Sequence, residues 1–362
     1  MATTTVTSSD GTRLAVETCD PVGDAGSGVT LVLVHGWTQD RRTWDRVVGE
    51  LASSARIVRY DLRGHGESDP AGPDSATIDR LADDLAEVIA TQAPAGPVVL
   101  AGHSMGGMTI MALADRYPDL VARRVAGAAF VATSSGNMDR VTLGFPGALG
   151  RGAARLERRL AKLLLAYRTE RLPVGGPLAT VGGRLLVFGK RPRKADVRSV
   201  ADQLRKAHPR SVGGFQNAIS LHDRRTALAA LRTVPTVVMV GDRDRLTPVE
   251  HAEAIADELP DARFVLLPGA GHMITQERHT SVAEAIGGLV ADAHSSHSTS
   301  AAAVDAAAGG GAAGDGAAGD GVVADGGTGS GGTGSGGTGD GGATADGAAG
   351  SPHRSRATPA SR

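Results

Sequence analysis

The stretch PVVLAGHSMGGM (Pro97–Met108) decides the fold. It opens as a β-branched, apolar run and closes as a small-residue helical pattern, and Ser104 sits where one gives way to the other. Within it, Gly102-His103-Ser104-Met105-Gly106 is a G-x-S-x-G sequence. A sharp strand-to-helix turn at such a site lifts the serine hydroxyl clear of the sheet, and the small residues let the strained turn pack. The N-terminus of the helix that follows favours developing negative charge. A plainer alternative stands beside this one, because serine is also a favoured helix N-cap.

A serine hydroxyl is a poor nucleophile near neutral pH and needs a base in hydrogen-bond reach, itself oriented by an acid. LLPGAGHMITQERH (Leu266–His279) supplies the leading base, His272, in a glycine-rich loop just after an apolar run. His279 lies near the start of the last helical pattern, where a surface role suffices. His103 precedes the serine on the turn, so its side chain points away from that of Ser104.

Working outward, short β-branched runs alternate with helical periodicity, the pattern of a mostly parallel sheet covered by helices. TTTVTSSDGTRLAVET reads as an opening antiparallel hairpin turning at Asp10-Gly11. Runs at 29–34, 56–60, 97–102 and 125–131 read as buried strands, with two more at 235–240 and 262–267. Helical patterns fall at 44–52, 78–91, 105–117 and 281–293. About a hundred residues between the fourth of the buried strands and Pro235 show helical periodicity and no strong strand. The division is therefore a core at 1–135 and 232–294, a helical insertion at 136–231, and a tail at 295–362. That tail holds 20 glycines, three valines and no aromatic residue, too little apolar surface to offset its ordering entropy, so it is expected to be disordered.

The chain resembles the α/β-hydrolase superfamily. The motifs that carry the likeness occur in order: HGW after the first buried strand, DLRGHGESD after the next, GHSMGGM at the turn, GDRDRLTP after the penultimate strand and GAGHM after the last. The likeness spans about residues 3–294, the insertion excepted. It implies an eight-stranded, mostly parallel sheet flanked by helices, a nucleophile–acid–histidine order along the chain, and a helical cap over the site. It also implies an oxyanion hole formed by the backbone amides of Met105 and Trp37. Of the two acids in VGDRDRLTPVEH, Asp244 matches the family's acid, three residues before Thr-Pro and 28 before His272, whereas Asp242 falls at a variable turn position. Thr247-Pro248-Val249-Glu250 reads as a capping box, so a helix is expected to begin at Thr247. Asp61, His65 and Ser68 are assigned no chemistry, and Gly64 and Gly66 are turn glycines. Haloalkane dehalogenases and epoxide hydrolases carry an aspartate where this chain has Ser104.

The insertion has its own charge: from Asp139 to Arg210 there are 17 Lys and Arg against 5 Asp and Glu, a net of +12 in a chain whose total is −1. Leu156, Leu160, Leu163, Leu164 and Tyr167 form one apolar stripe opposite Arg151, Arg155, Arg158, Arg159 and Lys162. The preferred reading is a cap helix whose leucines close an apolar pocket. Contact of the basic cap with anionic lipid or an acidic acyl carrier is the other.

Near-neutral net charge argues against a general nucleic-acid binder, and the single cysteine, Cys19, excludes an internal disulfide. The first twenty residues lack the features of a secretory signal, and no apolar run reaches the roughly eighteen residues of a membrane span. A cytoplasmic location is the expectation. Together these readings indicate a serine hydrolase of carboxylic esters with an apolar acyl chain, working through Ser104, His272 and Asp244 with no metal or organic cofactor. Thioester, peracid and carbon–carbon hydrolysis use the same triad, and a hydrolase-like receptor without turnover is the alternative from another class. Oligomeric state and physiological substrate are open at this level.

Overall fold

The alternation of strands and helices closes into one sheet. The computed structural model describes residues 1–309 apart from 22–27, 73, 139–140, 142, 144–146 and 165–182; residues 310–362 also lie outside the description. The strands are β1 (Ala2–Thr7), β2 (Arg13–Cys19), β3 (Thr30–Val34), β4 (Arg56–Tyr60), β5 (Val98–His103), β6 (Val125–Val131), β7 (Thr236–Gly241) and β8 (Arg263–Leu267). Their spatial order is β1-β2-β4-β3-β5-β6-β7-β8. β1 and β2 form the antiparallel hairpin and β2 pairs antiparallel with β4; every later pairing is parallel. β3 and β5 are wholly buried, as expected for central parallel strands covered on both faces.

Two apolar layers sandwich the sheet. α2 (Ile78–Gln92), α3 (Met105–Arg116), α4 (Pro118–Arg124) and α8 (Val249–Glu258) pack on one face around Leu81, Leu85, Met111, Phe130 and Ile255. α1 (Asp45–Leu51) and the last helix, α10 (His279–Gly309), cover the other around Trp44, Leu31, Met239 and Ile286. Burying each such side chain is worth about 1.5 to 3 kcal/mol.

Between β6 and β7 the described residues form helices and no strand: α5 (Gly147–Leu164), a turn at 183–187, α6 (Lys194–Lys206), α7 (Pro209–Ser220) and a 3-10 turn at Thr226–Leu231. α9 (Ile274–Glu277) is a single turn after β8.

Three boundaries differ from the sequence reading. α4 was not foreseen; it begins with Pro118 in its first turn, where a missing N–H costs nothing. α8 begins at Val249 with no side-chain cap, two residues later than the capping-box reading placed it, because Thr247 turns its hydroxyl elsewhere. α10 continues past residue 293 to Gly309. Ser295, Ser296, Ser298 and Thr299 satisfy their hydroxyls on carbonyls four residues back, and the alanines that follow are strong helix formers.

Strand order reverses at β3: the chain moves outward to β4, then crosses to β5 on the other side of β3. In an open α/β sheet such a reversal splays the loops at the carboxyl ends of the two strands and opens a crevice there. The loops after β3 and β5 hold Trp37 and Ser104.

Candidate active site

Ser104 joins β5 to α3 with φ +53 and ψ −119, a conformation outside the usual regions for a residue with a side chain. Its amide donates to Val131 O at 2.9 Å, and its carbonyl accepts from Thr133 Oγ1 at 2.7 Å and from the Gly107 amide at 2.9 Å. Its hydroxyl makes no capping bond to the helix, so the N-cap alternative does not describe what this side chain does. The strain is held by close packing: a Cβ on Gly106 would lie 2.2 Å from Val34 O, so only glycine lets α3 start this near β3.

The loop after β3 lies directly against this turn. A Cβ on Gly36 would be 3.0 Å from both Ser104 Cβ and His103 Nδ1. The next residues are Trp37 and Thr38, the latter at φ +62, an outlier for a β-branched side chain. Among the described residues the amides of Trp37 and Met105 have no hydrogen-bond acceptor. The Trp37 indole donates to Val212 O of α7 at 3.0 Å, so the side chain ties this loop to the insertion.

Asp244 and His272 meet at the same sheet edge. His272 Nδ1 lies 2.8 Å from Asp244 Oδ2, both side chains being buried. The other acceptor sites of Asp244 are filled as well: Oδ1 takes the amides of Leu246 and Thr247, each at 2.9 Å, and Oδ2 takes Thr247 Oγ1 at 2.8 Å. Burial pushes this carboxyl's pKa up, but its electrostatic interaction with His272 and the hydrogen bonds from His272 and Thr247 outweigh it and hold the pKa below its ordinary value. Asp242 is exposed and accepts the Gly269 amide at 2.6 Å, bracing the turn that precedes His272.

His103 bridges Ser104 and His272. Its Nε2 donates to His272 O at 3.0 Å, and the two rings are 4.9 Å apart. Burial, with the His272 ring beside it, pushes its pKa down to about 3, so the ring is neutral. His35 and His65 are buried and neutral too, with pKa values lowered by burial to about 4 and about 3. Their rings touch edge-on at 5.4 Å, and His35 Nε2 accepts the Leu62 amide. In the DLRGHGESD loop Asp61 is spent on Arg41 and the Glu67 amide and Ser68 on Asp61 O, while Gly64 and Gly66 take positive φ. His279 lies beside Glu50 at 3.5 Å.

The insertion is fastened to the His272 loop as well. The amides of His272 and Met273 donate to Val187 O at 2.9 and 3.2 Å, and the Lys190 amide donates to Gly269 O at 2.9 Å. Glu277 grips both sides with one carboxylate: Oε1 takes the Gly271 amide and Oε2 the Gly189 amide, each at 2.9 Å. Backbones touch here, since a Cβ on Gly189 would meet Gly269 O at 2.2 Å and one on Gly241 would meet Ala270 O at 2.3 Å. Glu277 and Thr247 carry no motif of their own; Glu277 lies on the turn after His272 and Thr247 was assigned to a helix cap. Among the described residues no cluster of His, Cys, Asp or Glu is placed to hold a metal ion.

The alpha/beta hydrolase fold family matches residues 29–278. Pimeloyl-[acyl-carrier protein] methyl ester esterase of Pectobacterium atrosepticum is 30% identical over 68% of this chain and 89% of that protein. The corresponding esterase of Nitrosomonas europaea is 27% identical over 68% and 90%. Among solved structures, a thermophilic esterase from Thermogutta terrifontis superposes with a TM-score of 0.65 at 28% identity, covering 81% of this chain and all of that one. The chain belongs to the α/β-hydrolase fold family.

Proposed function

We propose that the protein is a serine hydrolase of carboxylic esters that works through an acyl-enzyme. The observation that carries this reading is the buried His272–Asp244 pair, bonded through the His272 carbonyl to His103, the residue next to a strained Ser104 whose hydroxyl caps nothing. Asp244 holds the imidazole with Nδ1 protonated, which leaves Nε2 to take the Ser104 proton as Oγ attacks the ester carbonyl. The amides of Met105 and Trp37 receive the oxyanion, and such donors are worth about 3 to 4 kcal/mol in comparable sites. His272 then protonates the leaving alcohol, and water activated by the same nitrogen releases the acid.

The similarity to esterases supports an ester rather than a thioester, peracid or carbon–carbon substrate, and the pimeloyl-carrier relatives favour an acyl chain presented on an acidic carrier or in another anionic setting. A fluorophosphonate probe tests the core of the proposal. Wild type should be labelled and Ser104→Ala should lose both label and ester turnover, the latter by about a millionfold. Unlabelled wild type, or equal labelling of the variant, points instead to a hydrolase-like receptor. A chain-length series of chromogenic esters then sorts the acyl preference.

A further inference from the structure

On α5 (Gly147–Leu164) the leucines whose side chains are described stand in solvent. Leu149, Leu156 and Leu163 are 65%, 58% and 65% exposed, and they repeat every seven residues. At 100° per residue they fall within about 40° of one another, in a row about 21 Å long. Arg155 and Arg159 are exposed along one flank of that row. The side chains of Leu160 and Leu164, and all of Tyr167, lie outside the described residues.

We propose that this outer face of α5 is a docking surface for an anionic lipid bilayer. A row of large aliphatics in water marks a contact site, and a helix with leucines on one face and arginines beside them suits the boundary between acyl chains and phosphates. Charge selects the occupant. A second copy of the chain would set arginine against arginine across a self-complementary contact. The net charge of +12 is spread over residues 139–210, with further exposed cations at Arg184, Lys190, Arg193 and Arg198. Along α5 itself the leucines suit acyl chains and the flanking Arg155 and Arg159 suit lipid phosphates, a pairing that a bilayer surface supplies. Among the described residues no helix is long and apolar enough to cross a membrane, so the contact is peripheral.

The test is co-sedimentation of the full chain with phosphatidylcholine vesicles, with and without phosphatidylglycerol. Binding should need the anionic lipid and weaken with salt. Leu156→Ser with Leu163→Ser, and separately Arg155→Glu with Arg159→Glu, should each weaken it by about tenfold or more, while turnover of a short water-soluble ester stays at the wild-type level. Equal sedimentation with both vesicles, none with either, or wild-type binding by the leucine variant overturns the proposal. Binding to an acidic acyl-carrier protein but not to vesicles overturns it as well, in favour of a protein partner. Ser104→Ala should bind vesicles like wild type, so failure of the hydrolase reading and failure of this one are separable.

Discussion

The carboxyl edge of the sheet and the insertion above it solve opposite problems. At the sheet edge Asp244 and His272 are buried, and four hydrogen bonds converge on one carboxylate. On α5 large apolar side chains stand in water beside unburied arginines. Groups that hold a reacting geometry to fractions of an ångström must be desolvated and over-determined. Groups that meet a partner must stay uncommitted until it arrives. The difference teaches that the proposed chemistry and the proposed recognition would fall in separate parts of this chain, joined by the two fastenings at Trp37–Val212 and at Glu277.

The sharpest way to break that division is at the two acids. Asp244→Asn should lower kcat by about ten-thousandfold, since the amide no longer holds the productive tautomer of His272, while Asp242→Asn should stay near wild type. Steady-state kinetics on a soluble ester decides it, and the reverse ranking would move the orienting acid to Asp242.

A second test uses pH, to which the buried histidines around the sheet edge make the frame sensitive. His35, His65 and His103 have native pKa values of about 4, 3 and 3 against 6.5 when unfolded. Below pH 6.5 the unfolded chain therefore binds more protons than the native one, and stability falls as pH drops toward those native values. The slope is about 1.4 kcal/mol per pH unit for each such histidine. Denaturant unfolding between pH 7 and pH 5, numbers set by about those pKa limits, should show this loss, and His65→Gln should flatten it by about one proton. A pH-independent midpoint would show that these rings are not held neutral.

The mildest perturbation sits on the fastening between the two regions. Burial raises the Glu277 pKa despite its two amide bonds and Arg278, so this carboxylate is held at some cost. Glu277→Ala should destabilise the fold by about 3 kcal/mol and lower kcat by about tenfold through a loosened His272 loop, with Glu277→Gln in between. Unchanged kcat at reduced stability would confine Glu277 to structure.

Much of this edge was readable in one dimension. Each parallel strand is a continuous β-branched run, and each motif follows its strand directly, so Ser104 and His272 could be placed on one edge before any coordinate was known. The environment of Asp244 was not, because Thr247 spends its hydroxyl on the acid instead of on α8, a choice set by tertiary contact. Glu277 was invisible for the same reason, since its partners Gly189 and Gly271 lie far apart in sequence. In the insertion, periodicity found the α5 stripe but not which way it faces. The leucines read as pocket-closing are exposed at 156 and 163, because amphipathicity alone does not say whether a helix covers a site or presents itself to a partner.

The close approach of Gly189 to the backbone of Gly269 and Gly271 also bears on exchanging this insertion for another. Residues 183–190 bond to the His272 loop through main-chain atoms, so in engineering terms they belong with the sheet although they lie in the inserted segment. A chimaera cut between β6 and residue 183 keeps that seam and leaves the reacting edge as it is. A cut that discards Gly189 asks any side chain put there to occupy space already held by Gly269 O, and the histidine loop would have to move to make room.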